Sequence, residues 1–252
     1  MFQKYILLVF IALSVLLVTQ ITHAKVDPPP RNEFVTNPAY SDRKVPADEK
    51  KMNLKGSKKR VRKEFSQLQS QVNNLCQGNN SVFRINKDQS SLKVTTFKNW
   101  DVPVAARFLN YDGYVYWNND EKRPKATMII DTTSWESGAP DRDSRVKYFL
   151  LKANKKKYAV AQMNLEMENF ASKTASGSIN IREREYGVEA NLIRYQKSGN
   201  WYIRSAEPFR LFGKIPAKDM TKIMKLCNHK SLTPVVDLEW RLMLVPACKT
   251  KH

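Results

Sequence analysis

The feature that most constrains the fold is a two-residue alternation of apolar and polar side chains, which recurs in short segments from residue 81 almost to the end of the chain. Successive side chains of a strand point to opposite faces, so this pattern predicts strands with one buried face and one solvated face. Segments with the alternation are YAVAQMNLEM at 158–167, LKVTT at 92–96, SINI at 178–181 and VDLEWRLML at 236–244.

Turn signals separate the alternating segments, for example Asp112-Gly113, Ser176-Gly177 and Ser198-Gly199. No internal repeat of fixed length occurs. Many short antiparallel strands in succession predict one all-β domain, which is either a barrel or a sandwich.

Two segments have the three- and four-residue spacing of an amphipathic helix instead. The first predicts a helix over residues 58–77 that packs on the β domain or on a partner, and Gly78 is a natural stop. The second predicts a short helix at 217–227, before the last strand, with Pro216 at its start. The apolar stripe of the first helix consists of Val61, Phe65, Leu68, Val72 and Leu75.

The N-terminus has the pattern of a secretory signal peptide over residues 1–24. Lys4 precedes an apolar run, and Thr22-His23-Ala24 places small residues before a cleavage site after Ala24. The alternative is an uncleaved membrane anchor, but the apolar run is short for a bilayer span. We therefore expect an exported protein, periplasmic or secreted after cleavage.

Residues 25–57 contain several prolines and no hydrophobic period, which predicts a disordered basic arm. The stretch KKMNLKGSKKRVRK at 50–63 holds eight basic residues and no acid. It is either a contact for anionic lipid headgroups or a solvated linker.

The formal net charge of +19 favours anionic partners or serves solubility alone. Export makes a membrane surface a better candidate than nucleic acid, and no specific nucleic-acid partner is expected.

Catalytic motifs are missing from the sequence. It contains no G-x-S-x-G, no H-E-x-x-H and no Gly-rich phosphate loop. We expect neither an enzyme nor a resident cofactor or metal, and a hydrolase with a carboxylate pair is the weaker alternative.

The segment IIDTTSWESGAPDRDSRVKYF at 129–149 is predicted as a charged bend between two strand-like pieces. Such a bend suits either a catalytic loop or the mouth of a barrel that holds an apolar ligand. Its charges can pair among themselves, Asp141 or Asp143 with Arg142 or Arg145, and so fix the loop.

Residues 81–245 resemble the YceI-like family of exported, lipocalin-like barrel proteins. The resemblance begins in FRINKDQSSLKVTT (83–96), continues in LNYDGYVYW (109–117) and is strongest in ATMIIDTTSWESGAPDRDSRVKYFLL (126–151). It is weaker at REREYGVEANL (182–192), where the proline usual in the family is missing. The residues of the strongest segment that match in order are Ile130, Asp131, Ser134, Gly138, Arg142, Asp143 and Phe149.

The resemblance implies an antiparallel lipocalin-like β-barrel over residues 78–252. The N-terminal helix lies outside the resemblance, and it and the short helix before the last strand are predicted from their helical spacing. It also implies a binding protein for a polyisoprenoid, a quinone or a similar long-chain amphiphile, without covalent chemistry. Ser134, Arg142 and Asp143 would then lie at the rim and fix the loop or contact a ligand headgroup.

Side chains of the inward rows are the expected lining of the cavity, although small residues such as Ala159 and Ala161 also suit a closely packed core. The expected ligand contacts are Trp135, Tyr148, Phe149, Ala159, Ala161, Met163, Leu165, Ile179, Ile181, Leu238 and Trp240.

The barrel closure also makes a prediction about the three cysteines. If the first and last strands pair antiparallel, the start of the first lies beside the end of the last. Cys76 precedes the first strand and Cys248 follows the last, so we predict a Cys76–Cys248 disulfide and a free Cys227.

An interaction module with a filled barrel is the alternative function. Such a module would bind an anionic membrane surface or a protein partner through the basic arm and the first helix. The sequence does not indicate an oligomeric state.

Overall fold

The computed structural model describes residues 53–98, 102–212, 217–227 and 232–248. The predicted signal peptide and nearly all of the predicted arm lie outside these residues. The helices are α1 (Lys55–Leu75), α2 (Pro140–Arg145) and α3 (Ala217–Cys227). The strands are β1 (Asn80–Ile85), β2 (Ser91–Lys98), β3 (Val102–Phe108), β4 (Tyr111–Asn118), β5 (Lys125–Asp131), β6 (Trp135–Glu136), β7 (Val160–Glu166), β8 (Thr174–Ile181), β9 (Arg184–Lys197), β10 (Asn200–Ser205), β11 (Phe209–Phe212) and β12 (Leu232–Pro246).

Eight of the strands close into an antiparallel barrel in the order β1-β4-β5-β7-β8-β9-β10-β12, and β12 pairs again with β1. The remaining strands continue this wall. One half of the long strand β12 pairs with β1 and β10, and the other half pairs with β2 and β11. The predicted all-β barrel with its N-terminal helix and the short helix at 217–227 is therefore confirmed.

The barrel has two different ends. At the aromatic end, β1, β5, β8 and β10 begin, and β4, β7, β9 and β12 terminate. At the helical end, β5, β8 and β10 terminate, and α2 and α3 follow strands β6 and β11 along the chain.

Helix α1 packs on the outer wall of the barrel. Leu68 and Val72 are buried against Val82, Tyr114 and Ile129. The predicted apolar stripe thus covers the barrel. None of the described helices combines the length and the apolar character of a membrane span.

The helix begins at Lys55, inside the segment predicted as a disordered arm, and ends at Leu75 rather than at residue 77. Ser57 is only 1% exposed, and the Lys58 amide donates to the Leu54 carbonyl at 2.8 Å. Packing against the barrel therefore extends the helix through Gly56, which an isolated helix would tolerate poorly.

The charged bend at 129–149 is not flanked by two strands as predicted. It is preceded by β5, but Val146–Leu150 forms a π-helical turn that continues directly from α2. Pro140 at the first turn of α2, followed by Asp141 and Asp143, favours a helix start that the apolar run after it concealed.

Cys76 and Cys248 form a disulfide, as the antiparallel closure predicted. The bond joins the residue after α1 to the segment after β12 and closes a sequence separation of 172 residues. The side chain of Cys227 lies outside the described part of the structure, so its predicted free state stays a prediction.

Candidate ligand cavity and its two ends

An apolar cavity of about 70 Å³ lies in the aromatic half of the barrel. Strands from both sides of the barrel contribute to it, because their inward residues converge there. Met128, Met163 and Met167 lie in its wall, and unbranched thioether side chains adapt readily to a guest. Further apolar residues of the lining include Ile85, Val115, Ala175, Leu192, Ile203 and Leu244.

Three of the predicted ligand contacts, Met163, Leu165 and Trp240, line this cavity. Ala161, Ile179 and Leu238 are buried in the same barrel core but do not border the cavity. Trp135 is also buried in this core, and Ile181 packs against it while half-buried.

The remaining predicted contacts lie at the helical end. Ala159 is fully buried, and Phe149 is only 2% exposed. Phe149 stacks edge-on against Tyr148 with ring centroids 4.8 Å apart. These two rings border a separate groove and not the cavity.

Four half-buried aromatic rings form a contiguous cluster at the aromatic end. Phe83 stacks on Trp117 with ring centroids 5.2 Å apart. The ring of Phe170 packs edge-on against Trp117 with centroids 4.8 Å apart, and its centroid lies 6.3 Å from that of Trp201. Phe83 pairs across strands with Val115, and Trp201 pairs with Leu244. Cross-strand partners share a face of the sheet, so Phe83 and Trp201 continue the inner wall directly beside the cavity.

The loop at 167–173 carries Phe170 into this cluster, and one arginine fixes the loop. Arg194 donates to the Ser172 carbonyl at 2.6 Å and to the Phe170 carbonyl. Arg194 pairs with the cavity residue Ile203, so it belongs to the inward row of β9. Burial lowers the pKa of Arg194. The Arg194 guanidinium thus holds the loop at 167–173 against the inner face of the barrel at the aromatic end.

The predicted rim residues fix the bend at the helical end. Ser134 donates to the Asp131 carbonyl at 2.7 Å and accepts from the Asn110 amide at 3.0 Å. Asp143, which is 7% exposed, accepts from the backbone amide and the hydroxyl of Ser137.

Ser137 is hydrogen-bonded to both Asp143 and Arg142 in this bend, a role that the sequence did not indicate. Arg142 donates to the Ser137 hydroxyl at 2.7 Å and to its carbonyl at 2.8 Å. A serine next to a glycine looks like an ordinary turn residue, so its role depends on contacts that only the fold creates.

A second charged network joins α3 to the barrel at the helical end. Asp219, 5% exposed, accepts from Lys152 at 2.9 Å and from Arg182 at 3.3 Å. Burial raises the pKa of Asp219, but the hydrogen bonds and charges of Lys152 and Arg182 outweigh this effect and hold its pKa below the ordinary value. The neighbouring groove has a volume of about 400 Å³ and is also lined by Lys155 and Lys222.

Sequence reasoning missed much of the aromatic end. The alternation Val188, Ala190, Leu192 in β9 is regular and would have identified the inward residues of that strand, of which Leu192 lines the cavity. Phe170 lies in a loop without periodicity, so no local signal places its ring over the barrel mouth.

A closed antiparallel barrel with an apolar interior and terminal helices is the architecture of the lipocalin-like class of proteins. No family model matches the sequence, and no curated protein matches it. Solved structures do match. A polyisoprenoid binding domain from Saccharophagus degradans aligns with a TM-score of 0.56 at 14% identity, over 65% of this chain and 98% of that one.

BcnA from Burkholderia cenocepacia aligns with a TM-score of 0.50 at 16% identity, over 63% of this chain and 98% of that one. A mutant CJ YCEI protein aligns with a TM-score of 0.37 at 16% identity, over 58% of this chain and 86% of that one. The fold assignment rests on the first two. This chain therefore has the lipocalin-like barrel fold that the resemblance to the YceI-like family implied.

Proposed function

We propose that the protein is a non-enzymatic, exported binding protein that carries or stores a long-chain apolar amphiphile in its barrel. A polyisoprenoid, a quinone and a fatty chain are the candidate ligands. The observation that carries this proposal is the cavity inside the closed barrel, with an apolar wall that includes three methionine side chains. The polyisoprenoid binding domain that shares the fold supports the same class of ligand.

The size of the cavity defines how binding must occur. Ligand sites usually span roughly 300–1,000 Å³, whereas this cavity holds about 70 Å³. A long chain therefore binds only if side chains move aside. The three methionines have the rotamer freedom for this. The four aromatic rings lie at the aromatic end, and none of them borders the cavity.

Export is supported by the disulfide. Disulfides persist in oxidising compartments and are rare in the cytosol, and Cys76–Cys248 joins distant parts of the chain. Together with the signal-like residues 1–24, this supports a periplasmic or secreted location.

Mass spectrometry of an organic extract tests the proposal. The protein is purified from its native compartment without detergent and extracted with organic solvent. A stoichiometric isoprenoid, quinone or fatty chain is the expected result. The control is a variant with Ala175→Leu, whose larger side chain occupies space in the cavity and should reduce the bound ligand. Equal lipid in both samples, or none in either, would contradict the proposal.

A second candidate function, contact with an anionic membrane surface, is favoured by the charges on α1. Its first turn has no acidic residue, although acids there are favoured by the helix dipole. Helix α1 also lies against the turn at Lys156–Tyr158. The basic surface defined by this juxtaposition comprises Lys58, Lys59, Arg62, Lys63, Lys155 and Lys156.

Vesicle sedimentation tests this surface. Wild type should bind vesicles that contain phosphatidylglycerol but not pure phosphatidylcholine, and 0.5 M salt should abolish binding, because the Debye length falls to roughly 4 Å. Changing Lys58, Lys59 and Lys63 to Gln should weaken binding. A matched triple change at the aromatic end, Lys122, Lys173 and Lys197 to Gln, should weaken it less. An equal loss of vesicle binding in the two triple variants would show that binding depends on the net charge of the protein and not on this surface.

A further inference from the structure

Arg194 is a charged group without a charged partner in the part of the chain that the structure describes. Its guanidinium is half-buried on the inward row of β9, and its two acceptors, the carbonyls of Phe170 and Ser172, are neutral. Partial burial of a cation among neutral acceptors is unfavourable compared with pairing to an anion.

Trp201 supplies a second donor at the same mouth. Its indole Nε1 is buried and has no hydrogen-bond partner among the described residues. Trp201 pairs with Gln196, and Arg194 pairs with Ile203, so Trp201 and Arg194 are diagonal neighbours on the inner face of β10 and β9. Diagonal neighbours lie roughly 7–8 Å apart, which one headgroup with several oxygens can span.

The two donors stand beside the apolar cavity. Ile203, the partner of Arg194, lines the cavity, and so does Leu244, the partner of Trp201. A ligand whose chain lies in the cavity would therefore place its terminal group against these donors. The Trp201 indole N–H lacks an acceptor among the described residues. The Arg194 guanidinium donates to two neutral carbonyls, and a negatively charged acceptor would stabilise it more.

We propose that Arg194 and Trp201 form the headgroup site of the barrel, which selects long apolar chains that end in an oxyanion, a carboxylate or a phosphate. This inference rests on the proposed function and specifies its ligand class. An oxyanion offers Arg194 two charged oxygens in the fork geometry that a guanidinium prefers, and they replace the two loop carbonyls. Release of those carbonyls frees the loop at 167–173, so headgroup binding and displacement of Phe170 occur together.

The test compares two ligands that share a chain and differ in the head. Delipidated protein at pH 8 is titrated with palmitate and with methyl palmitate, and affinities are measured by displacement of a fluorescent fatty probe. Wild type should bind palmitate at least about tenfold tighter than the ester, as expected for a charge-assisted hydrogen bond. Arg194→Gln should remove this preference, so that its affinities for palmitate and for the ester lie within about twofold of each other. Trp201→Phe should weaken palmitate binding by about two- to fivefold.

Tyr111→Phe is the matched control, because the Tyr111 hydroxyl is another buried group without a partner among the described residues, near the helical end. It should leave the preference for palmitate unchanged. The headgroup site is overturned if wild type binds both ligands equally, if Arg194→Gln retains the preference, or if Tyr111→Phe removes it. Binding of neither ligand by wild type would instead overturn the proposed function, and the headgroup site with it. A cooperative unfolding transition of Arg194→Gln, measured in denaturant, shows that this variant is folded.

Discussion

The two ends of the barrel are closed by different kinds of interaction. The helical end is held by directional contacts of buried polar groups, such as Asp219 with Lys152 and Arg182, and Asp143 with Ser137. The aromatic end is covered by four rings and by a loop that one arginine holds through backbone carbonyls. Buried hydrogen-bonded charges resist rearrangement because a broken contact leaves a desolvated group, whereas separating a pair of aromatic rings costs about 0.5–1.5 kcal/mol beyond the apolar area that is exposed.

This difference assigns separate roles to the ends. We infer that the helical end fixes the shape of the barrel and that a ligand enters at the aromatic end. The disulfide limits how far it opens, because it fastens β12 to α1 on the outer wall at that same end.

Removal of the disulfide should have the largest effect on stability. For a loop of 172 residues the chain-entropy relation gives a loss of about 5 kcal/mol in the free energy of unfolding when Cys76 and Cys248 are both changed to Ser. Denaturant unfolding of the oxidised wild type and the variant measures it. Wild type in reductant is the control and should behave like the variant. A loss below about 1 kcal/mol would contradict a stabilising closure at the aromatic end.

Asp219→Asn should have the next largest effect, because it leaves Lys152 and Arg182 without their charged partner at the helical end. We expect a loss of about 2–3 kcal/mol at pH 7, measured by the same unfolding experiment. Asp237→Asn breaks the more exposed pair with Arg210 and should lower the free energy of unfolding clearly less than Asp219→Asn does.

The pH dependence sharpens this prediction. The pKa of Asp219 is lower in the folded protein than its ordinary value, so its ionised form stabilises the fold above that ordinary value. The stability difference between wild type and Asp219→Asn should therefore be constant from pH 7 to roughly 5 and shrink as the pH falls below roughly 4. A stability difference between wild type and Asp219→Asn that increased as the pH fell would contradict this prediction.

Phe170→Ala should have the smallest effect on stability and a clear effect on kinetics. The ring is half-buried in the loop, so its loss should reduce the free energy of unfolding by only about 1 kcal/mol. Uptake of a fluorescent fatty probe should become severalfold faster, because the cover of the barrel mouth is thinner. Leu109→Ala removes an exposed apolar side chain elsewhere and is the control. Equal uptake rates for both variants would show that Phe170 does not cover the path.

Most of the barrel could be predicted from the sequence because alternation is a local signal of strands. The segment at 158–167 placed Ala161 and Met163 inward correctly, and the antiparallel closure predicted the cysteine pair. The helix start at Lys55 and the π-helical turn at 146–150 could not be predicted, since tertiary packing determines both.

The features of the barrel mouth depend on contacts between residues distant in sequence. The ring of Phe170 contacts Trp117 and Trp201, and Arg194 donates a hydrogen bond to the Phe170 carbonyl. No sequence periodicity indicates contacts between residues so far apart in the chain. The small volume of the cavity is likewise a product of packing and not of any one segment. Alternation predicted which side chains face the interior of the barrel, but it did not predict the volume of the cavity that they leave.

The most direct test of an apolar ligand inside the barrel is NMR of methyl-labelled methionine. Palmitate added to the delipidated protein should shift the methyl signals of Met128, Met163 and Met167, which line the cavity, and give contacts between them and the chain. Met243, buried but outside the cavity lining and next in sequence to Leu244, should not shift. Unchanged signals from the three cavity methionines at a saturating ligand concentration would contradict the account.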